Sequence, residues 1–474
     1  MMGVNDRQRA RRAFGYQIAG AILLWLQAGP ALGSGLRERD LQPIAEIVTR
    51  EVRLGNIPGA VVLIGHEGKV LYRRAFGYRA LEPQRIPMTE DTIFDLASLT
   101  KVIATTTAVM QLVEQRRLRL EDSVARYWPE FGSRGKDQIR VRDLLSHSSG
   151  LRAGLDLKSP WSGYGDVLKR IAAEKPVFPP GKSFLYSDIN FILLGALVER
   201  VSALPLELYC ARHIFTKLGM KDTGFIPLAG QRDRIAPTVY RNGKMLWGEV
   251  HDPTAYRMGG VSGHAGVFST ADDLASFAQA LVDGGRAGGT RILSQASVEQ
   301  MTAPHSGRDT ASWWGLGWEL DAPFASNRDE LPRVGSYGHG GYTGTSIWID
   351  PISKTYVIIL SHRVHPRGGG DAKPLRAHIR EFIFGLSIRC RSTTCSTGYT
   401  YASSRSRKPW GSLGLGGSSR QLKMVGTRER SRSAGRPRSR SFASCERNTF
   451  STLHRLWTNI TTFLLFRSWD LPGS

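Results

Sequence analysis

The sequence predicts an α+β fold: a central antiparallel sheet assembled from both ends of the chain, flanked by helices, with more helices inserted between the two halves. Three observations lead there. Residues 59–78 read as two strands around the turn His66-Glu67-Gly68-Lys69. Residues 345–350 and 356–362 form a second strand pair around Pro351-Ile352-Ser353-Lys354. Between these pairs the apolar spacing is mostly helical.

Taken in chain order, residues 41–52 place Ile44, Ile47, Val48 and Val52 at helical spacing ahead of the first hairpin. Helical stretches follow at 103–115, 166–173, 191–202 and 271–281. The last opens with the capping pattern Ser269-Thr270-Ala271-Asp272. After the second strand pair, 373–384 returns to helix, which completes the cover of the sheet.

The ends of the 474-residue chain differ from its middle. Arg7, Arg9, Arg11 and Arg12 precede an apolar stretch, 14–32, and then Gly33-Ser34-Gly35, the order of a secretory signal cleaved near Ala31 or Gly33. The apolar stretch is also long enough for an uncleaved membrane anchor. Residues 1–34 are therefore read as a signal peptide or anchor, and the protein as exported, periplasmic or anchored facing the periplasm. Residues 35–386 form the folded domain. From 387 to 474 Ser and Arg dominate and no period persists, so this tail is read as a disordered basic arm or an out-of-frame extension. Trp410, Trp457 and Phe463 favour the second reading.

The formal charge of +23 is concentrated in those ends: the tail holds 16 basic and 3 acidic residues, and the first 34 residues hold 4 and 1. The body is only mildly basic and has no basic stripe with interleaved aromatics, so no nucleic-acid partner is expected. Hydrophobic residues make up 41% and charged residues 22%, which suits a soluble body. Of the four cysteines, Cys210 stands alone in the body and Cys390, Cys395 and Cys445 lie in the tail. No disulfide framework follows, and Cys210 reads as a small buried residue.

Chemistry first becomes visible at Phe94-Asp95-Leu96-Ala97-Ser98-Leu99-Thr100-Lys101, where a serine and a lysine lie three apart at a helix start. That spacing puts both on one face, so the amine can activate the hydroxyl without a histidine. Taken alone, the pair also fits an ordinary capped helix with a solvated lysine. Two later segments add to it. One is Tyr186-Ser187-Asp188-Ile189-Asn190; the other is Tyr337-Gly338-His339-Gly340-Gly341-Tyr342-Thr343-Gly344-Thr345, just before a strand.

In this order the three segments resemble the signature of serine β-lactamases and penicillin-binding proteins, in the form found in class C β-lactamases, their peptidase relatives and family VIII esterases. Supporting phrases run from 141 to 151, 259 to 266 and 348 to 351, so the resemblance covers roughly 43–384. It implies a β-lactamase/transpeptidase-like fold, with an all-helical region beside the sheet and the active site between them. It also implies Ser98 as acylated nucleophile, with Lys101 and Tyr186 as proton-handling partners and Tyr186 lowered in proton affinity by the lysine. The backbone amides of Ser98 and Tyr342 become the oxyanion hole. Asp188, Asn190, His339, Gly340 and Gly341 become substrate-binding positions.

Two departures matter. Asp188 stands where the family form has asparagine, and an ionised carboxylate cannot donate a hydrogen bond, although Asn190 offers an amide nearby. His339 replaces the lysine of Lys-Thr-Gly and is expected to bring a pH-dependent charge, with Gly340 and Gly341 letting the substrate backbone approach. His147 and His264 belong to glycine-rich turns and are read as structural. The set His251, Asp252, His264, His339, His362 and His365 lacks a metal-ligand spacing, so no metal or cofactor is expected.

The function implied is an acyl-enzyme serine hydrolase of esters or amides, acting on cell-wall peptides or small acyl compounds. A β-lactamase, or a penicillin-binding receptor that is acylated without turnover, is the alternative. A catalytically inactive binding scaffold ranks below both.

Overall fold

The computed structural model describes residues 36–305, 313–320 and 335–392, all within the first of the two units into which the chain divides, Met1–Tyr399. The expected leader and the tail beyond 392 lie outside the described residues. Five helices organise the fold: α1 (Pro43–Arg53), α2 (Thr107–Glu114), α3 (Asp188–Ser202), α4 (Ala271–Val282) and α5 (Lys373–Ser392). The main sheet contains β1 (Gly59–His66), β2 (Lys69–Ala80) and β3 (Ile86–Pro87) from the N-terminal side. From the C-terminal side come β4 (Trp313–Trp314), β5 (Glu319–Leu320), β6 (Tyr337–Gly340), β7 (Ser346–Asp350) and β8 (Thr355–Ser361).

These eight strands run in the order β4-β5-β6-β7-β8-β1-β2-β3, every neighbouring pair antiparallel. The two chain ends meet where β1 pairs with β8, from Ala60 opposite Ser361 to His66 opposite Thr355. Strand β1 is almost wholly apolar because both of its faces are covered. Val61 and Leu63 face the main core, whereas Ala60, Val62 and Ile64 face a second core closed by Ile44 and Val48 of α1 and Leu375, Ile379 and Ile383 of α5. The β1–β2 turn has Glu67 at φ 49° and Gly68 at φ 82°, the two-residue hairpin geometry whose twist matches its strands. Helix α4 starts where its capping pattern places it, with Thr270 Oγ1 accepting from the Asp273 amide at 3.3 Å.

Three differences from the sequence reading have physical causes. Strands β4 and β5 are two residues each, too short to show a period. The helix expected to begin at 103 is preceded by a 3₁₀ turn, Ala97–Leu99, and a π-helical stretch, Lys101–Thr106. In that wider coil Thr107 Oγ1 donates to the Val102 carbonyl, five residues back, at 2.9 Å. Finally, α5 continues to Ser392, so the composition break at 387 falls inside a helix. Among the described residues no single helix is long and apolar enough to cross a membrane.

Candidate active site

The turn that presents Ser98 is held by a buried carboxylate. Strand residues Phe94–Asp95 pair with Val267–Ser269, and Asp95 accepts from the amides of Ala97 at 2.9 Å and His251 at 2.6 Å. Burial pushes the Asp95 carboxyl up to about 6 against the pull of those amides. Ala97 sits at φ 47°, left-handed for a residue with a Cβ, so the residue before Ser98 carries backbone strain that Asp95 holds in place. Thr343 Oγ1 donates to the Asp95 carbonyl at 2.8 Å and Thr345 Oγ1 to the Leu96 carbonyl at 2.9 Å, which ties the 341–345 loop to the same turn.

Lys101 is completely buried, and its Nζ lies 3.0 Å from Ser98 Oγ, 3.1 Å from the His264 carbonyl and 2.7 Å from Asp188 Oδ1. Burial alone would pull its proton off, but the Asp188 carboxylate outweighs burial and holds the ammonium well above the usual lysine range. Nζ also sits 5.1 Å from the centre of the Tyr186 ring. Ser98 and Lys101, both beside Tyr186, each pull its phenol down. Burial nonetheless raises its phenol above the ordinary tyrosine value, and the Asp188 charge adds to that while Lys101 opposes it. The expectation that the lysine leaves Tyr186 lowered is thus corrected: burial, aided by Asp188, outweighs the lysine.

Behind Tyr186 lies His147, stacked at a ring distance of 4.4 Å and edge-on to Trp314 at 5.3 Å. Its Nδ1 accepts from the Ser187 amide at 3.0 Å. Burial, with Lys101 and His339 nearby, keeps this imidazole neutral, well below the usual histidine range. His264 contacts Ser262 Oγ and Asp252 Oδ1, each at 2.8 Å. The ligand atoms of Asp188, Asp252 and His264 fall within 4.8 Å of one another, as a metal would require, but the Lys101 ammonium already takes Asp188 and His264 takes Asp252. Of the other histidines in the expected non-ligand set, His251 stacks on Tyr342, while His362 and His365 stack on each other.

Asn190 lies apart from Asp188. It is fully buried, with Oδ1 accepting from Ser149 Oγ at 2.6 Å, because two residues along α3 turn it away from the face that holds Asp188. The opposite wall is β6. His339 Nδ1 donates to the Gly340 carbonyl at 2.9 Å, and its ring lies 6.1 Å from that of Tyr186. Burial, with Lys101 second, lowers His339 to about 3, so the expected pH-dependent charge is corrected to a neutral imidazole.

The two glycines make room for protein groups. A Cβ on Gly341 would meet Thr345 Oγ1 at 2.1 Å and the Leu96 carbonyl at 2.4 Å; one on Gly340 would meet Arg376 Nη1 at 3.0 Å. The Gly341 amide is taken by the Thr345 carbonyl at 2.7 Å, whereas that of Tyr342 has no backbone partner among the described residues. The Tyr342 ring, 62% exposed, lies against His251 and Arg363.

Arg376 and Asp95 were not singled out by sequence. Arg376 comes from α5 and donates through Nη2 to the carbonyls of Gly341 and Thr345 at 2.6 and 2.8 Å. Burial lowers its guanidinium only to about 10, so it remains a cation. Its signal was its place three residues before Ile379 on the apolar face of the predicted helix. That of Asp95 was a carboxylate inside the apolar run Phe94-Asp95-Leu96.

A comparison with known families decides what this arrangement belongs to, since the family described as Beta-lactamase matches residues 44–381. This chain is a member of the beta-lactamase family. It is 32% identical over 371 residues to a protein of Escherichia coli (strain K12) named "Putative D-alanyl-D-alanine carboxypeptidase", covering 70% of this chain and 84% of that one. A Salmonella enteritidis PT4 protein of the same name is 32% identical over 354 residues, 65% of this chain and 79% of the other. Among solved structures, EstCE1, a hydrolase with promiscuous acyltransferase activity, superposes with a TM-score of 0.60 at 26% identity, covering 73% of this chain and 99% of that one. A class C beta-lactamase variant superposes with a TM-score of 0.61 at 20% identity, over 73% and 97%, a likeness of fold. The α+β fold of this beta-lactamase-family chain is that of its neighbours, and the chain is a serine hydrolase of the β-lactamase and penicillin-binding-protein type.

Proposed function

We propose that Ser98 is the acylated nucleophile of a hydrolase of esters and amides, with Tyr186 and Lys101 moving its proton and the Ser98 and Tyr342 amides holding the oxyanion. The observation that carries this reading is the 3.0 Å contact between Lys101 Nζ and Ser98 Oγ, with the Tyr186 ring centred 5.1 Å from the same Nζ. Ser98 Oγ forms the bond to the carbonyl carbon, its proton passes to the tyrosine–lysine pair and on to the leaving group, and water then releases the acyl group. Ser98→Ala and Lys101→Ala are each expected to lower hydrolysis of p-nitrophenyl esters by about 10³-fold or more, with non-additive losses because the pair acts as a unit. Retained activity in Ser98→Ala would refute the assignment.

Arg376 favours a second, carboxylate-bearing substrate class alongside neutral esters. It puts a cation beside the strand edge where His339 has none, and D-alanyl peptides and β-lactams both carry a carboxylate that pairs with such a group. Mass spectrometry after a β-lactam pulse separates the outcomes: a transient adduct marks turnover, and a persistent one marks a receptor. Export through residues 1–34 belongs to the same proposal, and N-terminal sequencing of protein from the periplasmic and membrane fractions tests it.

A further inference from the structure

We infer that the acyl donor preferred by this site carries a protonated amine on the carbon next to the scissile carbonyl, as in an unblocked aminoacyl ester or amide, and that Asp188 selects it; this rests on Ser98 being the acylated group. Asp188 is the only departure from the family form that puts a formal charge where the donating amide would stand. Its carboxylate, 34% exposed, touches Lys101 at 2.7 Å, and Lys101 touches Ser98 Oγ at 3.0 Å, so the two oxygens lie at most 5.7 Å apart. An amine on the α-carbon of an acyl group attached to Ser98 lies about 3 Å from Oγ by bond lengths alone. Turned toward Asp188, it comes within hydrogen-bond reach of that carboxylate.

The chemistry of the carboxylate fixes the sign of the preference. An asparagine at this position can donate to the carbonyl of an N-acylated substrate; an ionised aspartate only accepts, so it repels that carbonyl and attracts an ammonium. Lys101 engages Oδ1, and among the described residues no hydrogen bond or ion pair reaches the second oxygen, which leaves one acceptor to face the substrate. Asn190 presents no exposed donor, since it is fully buried, with its Oδ1 on Ser149. The amine takes no part in the covalent step. It orients the acyl group while the ester or amide bond breaks at Ser98.

The test compares alanine methyl ester with N-acetylalanine methyl ester, both enantiomers of each, following the product acid and correcting for spontaneous hydrolysis, with p-nitrophenyl propionate as a neutral reporter. The parent protein is expected to prefer the free-amine ester by about tenfold or more in kcat/KM, the worth of one charge-assisted hydrogen bond. Asp188→Asn should reverse that ratio, whatever it does to the absolute rates. Ser98-dependent turnover of the propionate ester without a free-amine preference would overturn the inference and leave the hydrolase reading standing. If no ester is turned over in a Ser98-dependent way, the hydrolase reading itself fails. Should Asp188→Asn not fold, the ratio in the parent protein decides alone: equal rates, or preference for the N-acetyl ester, would refute the selection.

Discussion

Lys101 and Asp188 form an ion pair of 2.7 Å in which the ammonium is wholly enclosed and the carboxylate is one-third exposed. The pair sets the resting protonation of the whole site. A carboxylate this close keeps the lysine charged, and burial, with the carboxylate's help, leaves Tyr186 a neutral phenol. The base-competent form of the tyrosine is then a minor species near neutral pH, so the rate should rise with pH until the phenol titrates.

Removing that charge should move the limb. In Asp188→Asn the carboxylate no longer raises Tyr186, so the ascending limb of kcat/KM against pH is expected to shift to lower pH, by about one unit or more. Measurement with a neutral p-nitrophenyl ester from pH 5 to 10 checks this. A limb that stays in place, or moves to higher pH, would show that Asp188 does not govern the base.

Arg376 should matter only to substrates with a carboxylate. Arg376→Ala is expected to reduce kcat/KM for D-Ala-D-Ala peptides or a chromogenic cephalosporin by about tenfold to a hundredfold relative to p-nitrophenyl propionate. A uniform loss across all substrates would mean that the guanidinium serves only to hold the Gly341 and Thr345 carbonyls.

The two neighbouring glycines should respond differently to the same change. Gly341→Ala drives a methyl into the Leu96 carbonyl, backbone that is part of the nucleophile turn, and should cost about 1–3 kcal/mol of stability along with activity. Gly340→Ala meets only the end of the Arg376 side chain, so it should fold normally and lose carboxylate-bearing substrates first. Thermal unfolding and paired kinetics distinguish them. Equal melting temperatures for the two variants would refute the argument.

How much of this was legible in the sequence depended on distance along the chain. Ser98 and Lys101 lie three apart, so local geometry alone predicts their contact, and the hairpins announce themselves through turn chemistry and apolar runs. Arg376 meets Gly341 across 35 residues, and only the tertiary fold brings α5 over β6. The charge states were hidden for the same reason. Whether Tyr186 is raised or lowered, and whether His339 is charged, depends first on how deeply each is buried. The glycines were read for substrate access alone, because their contacts with Leu96 and Arg376 require the neighbouring element to be in place.

Helix α5 runs past the composition break at 387. A chain ending after Ser392 is expected to keep the activity of the full-length protein, whereas one ending at Leu386 cuts the last helix six residues short. Activity assays and limited proteolysis of both truncations check this. Loss of activity on removing 393–474 would assign those residues a part in the fold.

The pairing of β1 with β8 also dictates when this protein can become itself. Partners such as Ala60 and Ser361 are separated by about 300 residues of chain, and β1 has no neighbour on that side until β8 exists. An N-terminal half emerging from the ribosome thus holds an apolar strand with one edge open, at risk of pairing with a second nascent chain. Its maturation must wait for nearly the entire domain to be synthesised, and any chain stopped before β8 is an aggregation hazard with no partial activity to salvage.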